Sequence, residues 1–230
     1  MSIRDNLELI REEIARAEAL AGRPAGSVTL VAVSKFHPVS SVLEAVKAGQ
    51  TVFGENRVQE AVPKFQEVLS SSPEVSLHLI GSLQRNKVRQ IVPLAACIES
   101  VDRIKLLREI GKHTTASGKH MSILFEIRTG EESKSGYTSE DDLFRSLDLL
   151  CEYPFVHCRG LMTLAPQTDN ESTIAGSFSY MRRLGEACSV RYPELDFSVL
   201  SMGMSSDYKI AIREGSTEVR IGTAIFGERR

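Results

Sequence analysis

The chain has 230 residues, the length of one barrel domain or of two small domains. Its 42% hydrophobic and 25% charged content is that of an ordinary globular protein with enough apolar material for a sizeable core. A formal net charge of -2 exerts no general pull on nucleic acid or an anionic membrane, so any phosphate site has to be local. The four cysteines, Cys97, Cys151, Cys158 and Cys188, form no C-x-x-C pair and are too few for a disulfide scaffold. Cys97 lies in the apolar run 93–98 and reads as a buried free thiol. The N-terminal stretch is charged throughout and lacks the apolar segment of a secretory signal, and no run of about 18 apolar residues occurs. A cytoplasmic setting is expected.

In chain order, residues 2–21 carry apolar side chains at helical spacing and stop at Gly22 and Pro24. Residues 28–33 form a continuous apolar, β-branched run, which suits a parallel strand buried on both faces. The alternation then repeats. Helices are predicted over 39–48, 55–69, 83–91, 103–115, 139–150, 171–190 and 206–214, with Ser139 as N-cap of the fifth of these. Strands are predicted over 51–53, 77–80, 95–98, 121–127, 156–162, 197–200 and 218–221. Eight strands, each but the last followed by a helix, imply a parallel sheet with right-handed crossovers. A single (β/α)8 barrel over 1–230 with an extra leading helix is the expected fold, although an open doubly wound sheet would use the same local elements.

In a barrel the chemistry belongs at the C-terminal ends of the strands. Lys35 follows the first strand directly, where partial desolvation and a nearby cation can lower a lysine pKa and make its amine a nucleophile toward aldehydes. By itself it could equally be a strand-end lysine reaching for solvent. Arg220-Ile221-Gly222-Thr223 closes the last strand, and Ser205 and Ser206 follow the seventh, where barrels of this class commonly hold phosphate. The alternative is a strand-end turn at Gly222 and a helix cap at Ser205.

Taken together, the segments LVAVSK, FGENRVQE, HLIGSLQRNK, SVDR, ESKSG, GLMT, LSMGMSSDYKIAI and VRIGTAIFGER closely resemble the pyridoxal phosphate homeostasis protein family. That family is similar to the N-terminal barrel of bacterial alanine racemase. The resemblance implies a pyridoxal 5′-phosphate-binding protein that holds the cofactor as a Schiff base on Lys35 and serves vitamin B6 homeostasis and cofactor supply rather than robust catalysis. It implies that Arg220 faces the pyridine nitrogen, and that Ser205 with the backbone of Gly222 and Thr223 holds the phosphate. Asn56, Met162, Ser201, Gly203 and Met204 are expected to line the pocket. The sequence departs from many relatives at Ile127-Arg128, where a Val-Asn pair is usual.

Because Arg220 keeps its proton, it would leave the ring nitrogen unprotonated and weaken carbanion chemistry. A minimal amino-acid racemase is the alternative, opposed by a chain that ends at Arg230 without the second domain that brings the opposing tyrosine. A Schiff-base aldolase is the third reading. A monomer is expected, with apo-enzymes that receive the cofactor as partners, and with no nucleic acid or membrane. The five histidines show no metal-ligand spacing. His78 is expected at a rim or strand position, Lys87 and Arg89 on a solvated helix, and Lys134 in a rim loop as a solvated lysine, the alternative being a transient contact to phosphate during exchange.

Overall fold

The computed structural model describes residues 2–132 and 135–228. Eight parallel strands close into a barrel in sequence order, β1 (Thr29–Val33), β2 (Val52–Glu55), β3 (Ser76–Leu79), β4 (Cys97–Val101), β5 (Met121–Arg128), β6 (Val156–Leu164), β7 (Val199–Ser201) and β8 (Glu218–Ile221). Strand β8 returns to β1 with Thr29 opposite Glu218 and Val31 opposite Arg220, which removes every sheet edge. The closure decides between the two architectures left open by the local pattern.

The helices are α1 (Ile3–Leu20), α2 (Val39–Lys47), α3 (Val58–Ser71), α4 (Val88–Ile91), α5 (Ile104–Ser117), α6 (Glu140–Asp148), α7 (Glu171–Arg191), α8 (Tyr208–Arg213) and α9 (Thr223–Phe226). Helix α1 starts at a capping box in which Ser2 and Asp5 satisfy each other's backbone N–H groups. It packs its buried face, Leu7, Ile10 and Ile14, beside the barrel. None of the helices is long and apolar enough to cross a membrane among the described residues.

Several boundaries differ from the periodic reading. Glu55 ends β2 rather than opening a helix, and α3 begins at Val58. The 83–91 segment splits into a 3-10 turn, Arg85–Lys87, and the single turn α4. Ser139 precedes α6 without a capping hydrogen bond from its side chain. The last strand is also followed by a helix, the short α9, which apolar periodicity over four residues cannot announce. The helix after β7 starts late, with Asp207 at its N-cap instead of the serines before it.

Alternation along each strand divides the buried side chains into two populations. The larger core lies between sheet and helices and includes Phe53, Phe65, Leu77, Phe125 and Phe178. The barrel interior is different. A small apolar group of Cys97, Leu124 and Met162 stands apart from that core, Glu99 and Glu126 follow Cys97 and Leu124 by two residues on β4 and β5, and Glu218 and Arg220 stand two residues apart on β8. Cys97 is a free buried thiol, and burial pushes its pKa well above that of an ordinary cysteine.

At Gly160 the β5–β6 register slips between Ile123 and Leu124, and the glycine adopts φ 144°. A Cβ there would stand 1.8 Å from the Val199 carbonyl oxygen on β7. Gly160→Ala should therefore cost about 2 kcal/mol of stability or more, through strain and clash together. Urea unfolding is the check, and an unchanged midpoint would show that this strand pair can relax around the methyl group.

Candidate functional site

The first strand delivers its lysine through a strained turn. After Val33 the chain turns at residues 34–37, where His37 N donates to Ser34 O (3.1 Å) and Phe36 takes φ 67°. A left-handed conformation at a bulky residue costs free energy and persists only where its surroundings hold it. The holding is visible on both sides. Ser34 N donates to Gly54 O (3.0 Å), and Lys64 Nζ from α3 donates to Ser34 O (2.8 Å) and to Glu55 Oε1 (2.7 Å). Ser34 Oγ donates to the same carboxylate oxygen (2.7 Å). Arg57 stacks over the Phe36 ring at 5.6 Å, and His37 stacks on Phe226 at 5.0 Å. Burial, with Lys64 nearby, lowers the His37 pKa.

Lys35 lies at the mouth of a cavity of about 510 Å³ at the C-terminal ends of the strands. Its walls include Asn56, Met204, Ser205, Arg220, Gly222 and Thr223, all expected from the sequence. They also include Val33, His37, Ile80, Gly81, Leu164, Ser206 and Gly227. Asn56 is brought close by Gly81, where a Cβ would sit 2.2 Å from the Asn56 carbonyl oxygen. Gly222 caps α9, so the first N–H groups of that helix point out of its N-terminus beside Ser205.

Three expected wall residues are placed elsewhere. Met162 is fully buried with Cys97 and Leu124 inside the barrel, beneath the cavity. Ser201 is fully buried and supports Arg220 from below. Gly203 packs on α8, where a Cβ would meet Ala211 Cβ at 2.6 Å, and its carbonyl accepts from Arg220 N (3.0 Å). Neighbours in a strand-end motif alternate between cavity wall and support. Arg128 donates to Glu132 O (3.0 Å) in the loop after β5. Lys134 lies outside the described residues.

Arg220 is 3% exposed. Its Nη2 donates to Thr163 O (2.7 Å) and its Nη1 to Ser201 Oγ (2.6 Å). Ser201 Oγ donates to Glu99 Oε2 (2.7 Å), and Glu99 Oε1 meets His78 Nδ1 at 2.8 Å. Burial works against an ionised Glu99, but His78, Arg220 and Ser201 more than offset it and hold its pKa below the usual carboxylate value. Burial likewise opposes a charged His78, yet Glu99 and then Glu218 raise its pKa on balance. His78, expected at a rim or strand position, thus takes its place on β3 within this buried ladder. Glu218 is pushed up to about 7, by burial first and then by the Glu99 charge.

The donor set suits a small, anionic, aldehyde-bearing aromatic molecule. A lysine, an arginine, two serines and the first residues of α9 line one cavity, and the buried Asn56 Oδ1 beside them has no partner. The volume is that of a small-ligand pocket.

Fold and site define a barrel of the alanine racemase type, and the family model for the alanine racemase N-terminal domain matches residues 6–230. The chain is 39% identical to a pyridoxal phosphate homeostasis protein of Vibrio alginolyticus over 231 residues, covering 99% of this chain and 98% of that one. It is 34% identical to the protein of the same description from Aquifex aeolicus, with both chains covered fully. The chain belongs to the pyridoxal phosphate homeostasis protein family. Among solved structures, PipY of Synechococcus elongatus PCC7942 with PLP bound superposes with a TM-score of 0.82 at 37% identity, covering 93% of this chain and 100% of PipY. An alanine racemase of Clostridium difficile shares the fold alone, with a TM-score of 0.73 at 11% identity.

The raised pKa of Glu218 gives a signed expectation. Above about pH 7 the folded protein carries an ionised, poorly solvated carboxylate, whereas an unfolded glutamate ionises freely near 4.5. Stability from this group is complete below the unfolded value and is lost as pH rises through the folded one. Glu218→Gln should match the native protein at about pH 4.5 and exceed it at about pH 8 by on the order of 1–3 kcal/mol. Denaturant titrations at both pH values test this. A variant less stable at the higher pH would show that ionised Glu218 is well compensated.

Proposed function

We propose that the chain binds pyridoxal 5′-phosphate through a Schiff base on Lys35 and works as a cofactor-holding and supply protein. The observation that carries this reading is the placement of Lys35 and Arg220 on one cavity with Ser205, Gly222 and Thr223. When bound, this cofactor supplies an aldehyde and an electron-withdrawing pyridine ring. Lys35 would hold the cofactor covalently through its amine, and the cofactor would supply the aldehyde for that linkage. Arg220, clamped by Thr163 O and Ser201 Oγ, donates a hydrogen bond to the ring nitrogen and leaves it unprotonated. Ser205 Oγ and the N–H groups of Gly222 and Thr223 would donate to the phosphate oxygens at the start of α9. The family membership and the PLP-bound state of PipY support the assignment.

A supply role rather than a turnover role is the finer part of the proposal. Racemisation on this cofactor needs one base on each face of the substrate. Lys35 can serve one face, but the tyrosines are engaged elsewhere. Tyr137, in the segment between β5 and α6, is 5% exposed and donates to Ser146 Oγ (2.7 Å). Tyr208 bonds Glu13, Tyr180 donates to Glu140 and Tyr192 to Asp148. Tyr153 packs on Gly111. The recipients we propose are apo-enzymes that take the cofactor from the open mouth.

Lys35→Ala should abolish the visible absorbance of the cofactor-loaded protein while leaving a folded chain, because a strand-end side chain adds little to the core. An unaltered spectrum would move the linkage to another lysine. Arg220→Ala and Ser205→Ala should each weaken cofactor binding by roughly tenfold to a hundredfold, the value of a lost charged hydrogen bond of about 1.5–3 kcal/mol. Native affinity in both would sink the pocket assignment. Cofactor-saturated protein should not exchange the α-proton of L- or D-alanine for deuterium at a useful rate. Rapid exchange with inversion, lost in Lys35→Ala, would make this a one-domain racemase instead.

A further inference from the structure

Two residues before Arg220 on the same face of β8, inside the barrel, three further side chains converge. His78 from β3, Glu99 from β4 and Glu218 from β8 each offer a ligand atom, and these atoms all lie within 4.8 Å of one another. Glu99 is fully buried and Glu218 is 5% exposed, while the His78 side chain keeps 15% exposure. Glu218 is the anomaly. Its Oε1 is buried without any hydrogen-bond partner, and its Oε2 stands 3.8 Å from His78 Nδ1, beyond hydrogen-bonding range. His78, Ser201 and Arg220 offset part of the desolvation cost of this carboxylate, but burial and the Glu99 charge outweigh them and Oε1 stays without a partner. The remaining buried unpartnered oxygens, on Glu55, Asn56 and Glu126, have no such set of ligands around them among the described residues.

We propose that His78, Glu99 and Glu218 form a site for a first-row divalent cation, with zinc the best fit. Zinc holds nitrogen and oxygen ligands at about 2.0–2.2 Å in a tetrahedron, which sets the ligand atoms about 3.4 Å apart. Here His78 Nδ1 is 2.8 Å from Glu99 Oε1 and 3.8 Å from Glu218 Oε2, so the two separations bracket that value. An imidazole in the set selects the zinc class over magnesium and calcium, which take oxygen ligands. Glu99 and Glu218 both bring negative charge to the ion, and the ion offers a partner to the Glu218 carboxylate, whose Oε1 has none.

The opposing charge is Arg220, whose Nη1 lies 3.9 Å from Glu99 Oε2. That oxygen is already taken by Ser201 Oγ, and the oxygen turned to His78 is the other one. The cation and the guanidinium therefore use opposite sides of Glu99. Three protein ligands leave one coordination position for water. The site is separate from the cavity that holds Lys35, since none of its three residues lines that cavity.

The test is calorimetric titration of the full chain with Zn²⁺ alone after dialysis against a chelator, repeated with Co²⁺ by visible absorption. One equivalent should bind, with a cobalt spectrum of four-coordinate type. Binding should survive His120→Ala/His157→Ala, which removes a stacked surface pair whose ring nitrogens are 2.7 Å apart. Glu218→Gln and His78→Gln should each weaken it by more than about tenfold. Glu218→Gln keeps the side-chain volume, so it provides a folded comparison if His78→Gln does not. No zinc binding, binding lost with the surface pair, or native affinity in Glu218→Gln would each overturn the site.

Discussion

A guanidinium inside a barrel dictates what must surround it. Arg220 cannot give up its proton, and a buried charge without partners costs several kcal/mol. The partners come from strands far apart in sequence. Thr163 O on β6 and Ser201 on β7 hold the guanidinium, Glu99 on β4 holds Ser201, and His78 on β3 holds Glu99. Only closure of the sheet brings these strands face to face. The arginine is thus fixed before any ligand arrives, so a ring nitrogen meeting it need not pay for its ordering, which is the structural form of preorganisation.

The lysine side of the cavity follows the opposite logic. Lys35 sits past the end of β1, on a turn whose Phe36 is left-handed, and the turn is pinned through Ser34 by Lys64 and Glu55. Burial raises the Glu55 pKa while Lys64 and Ser34 pull it down, so the pin is itself an electrostatic compromise between barrel and α3. A half-buried lysine on a braced turn can reach a ligand from the open end. An arginine 3% exposed can only receive one. A holder that must also release its cofactor needs one fixed contact and one accessible one.

Much of this was legible in the sequence because it depends on short-range pattern. The strand–helix alternation gave eight strands, and the expected positions of Lys35, Asn56, Met204, Ser205, Arg220, Gly222 and Thr223 coincide with the cavity wall. What escaped was set by alternation and closure. Ser201 and Met204 belong to one motif, yet one supports Arg220 from the interior and the other reaches the wall. Glu99, Glu126 and Glu218 stand singly in largely apolar segments of the sequence. Each stands two residues from another inward-facing side chain, Cys97, Leu124 and Arg220 respectively, and that spacing was the available signal for a polar barrel interior. His37 and Gly227 reach the cavity only through the β1 turn and the short α9, and neither has a periodic signature.

The central claim is that one lysine, at the end of the first strand, carries the cofactor. Lys64 is the informative competitor, since its Nζ bonds the carbonyl of Ser34, the residue before Lys35. Borohydride reduction of the loaded protein fixes the linkage covalently, and peptide mass spectrometry then locates it. The account predicts a single pyridoxyl phosphate adduct on Lys35, with Lys64 unmodified. An adduct on Lys64, or label spread over surface lysines with Lys35 unmodified, would contradict it.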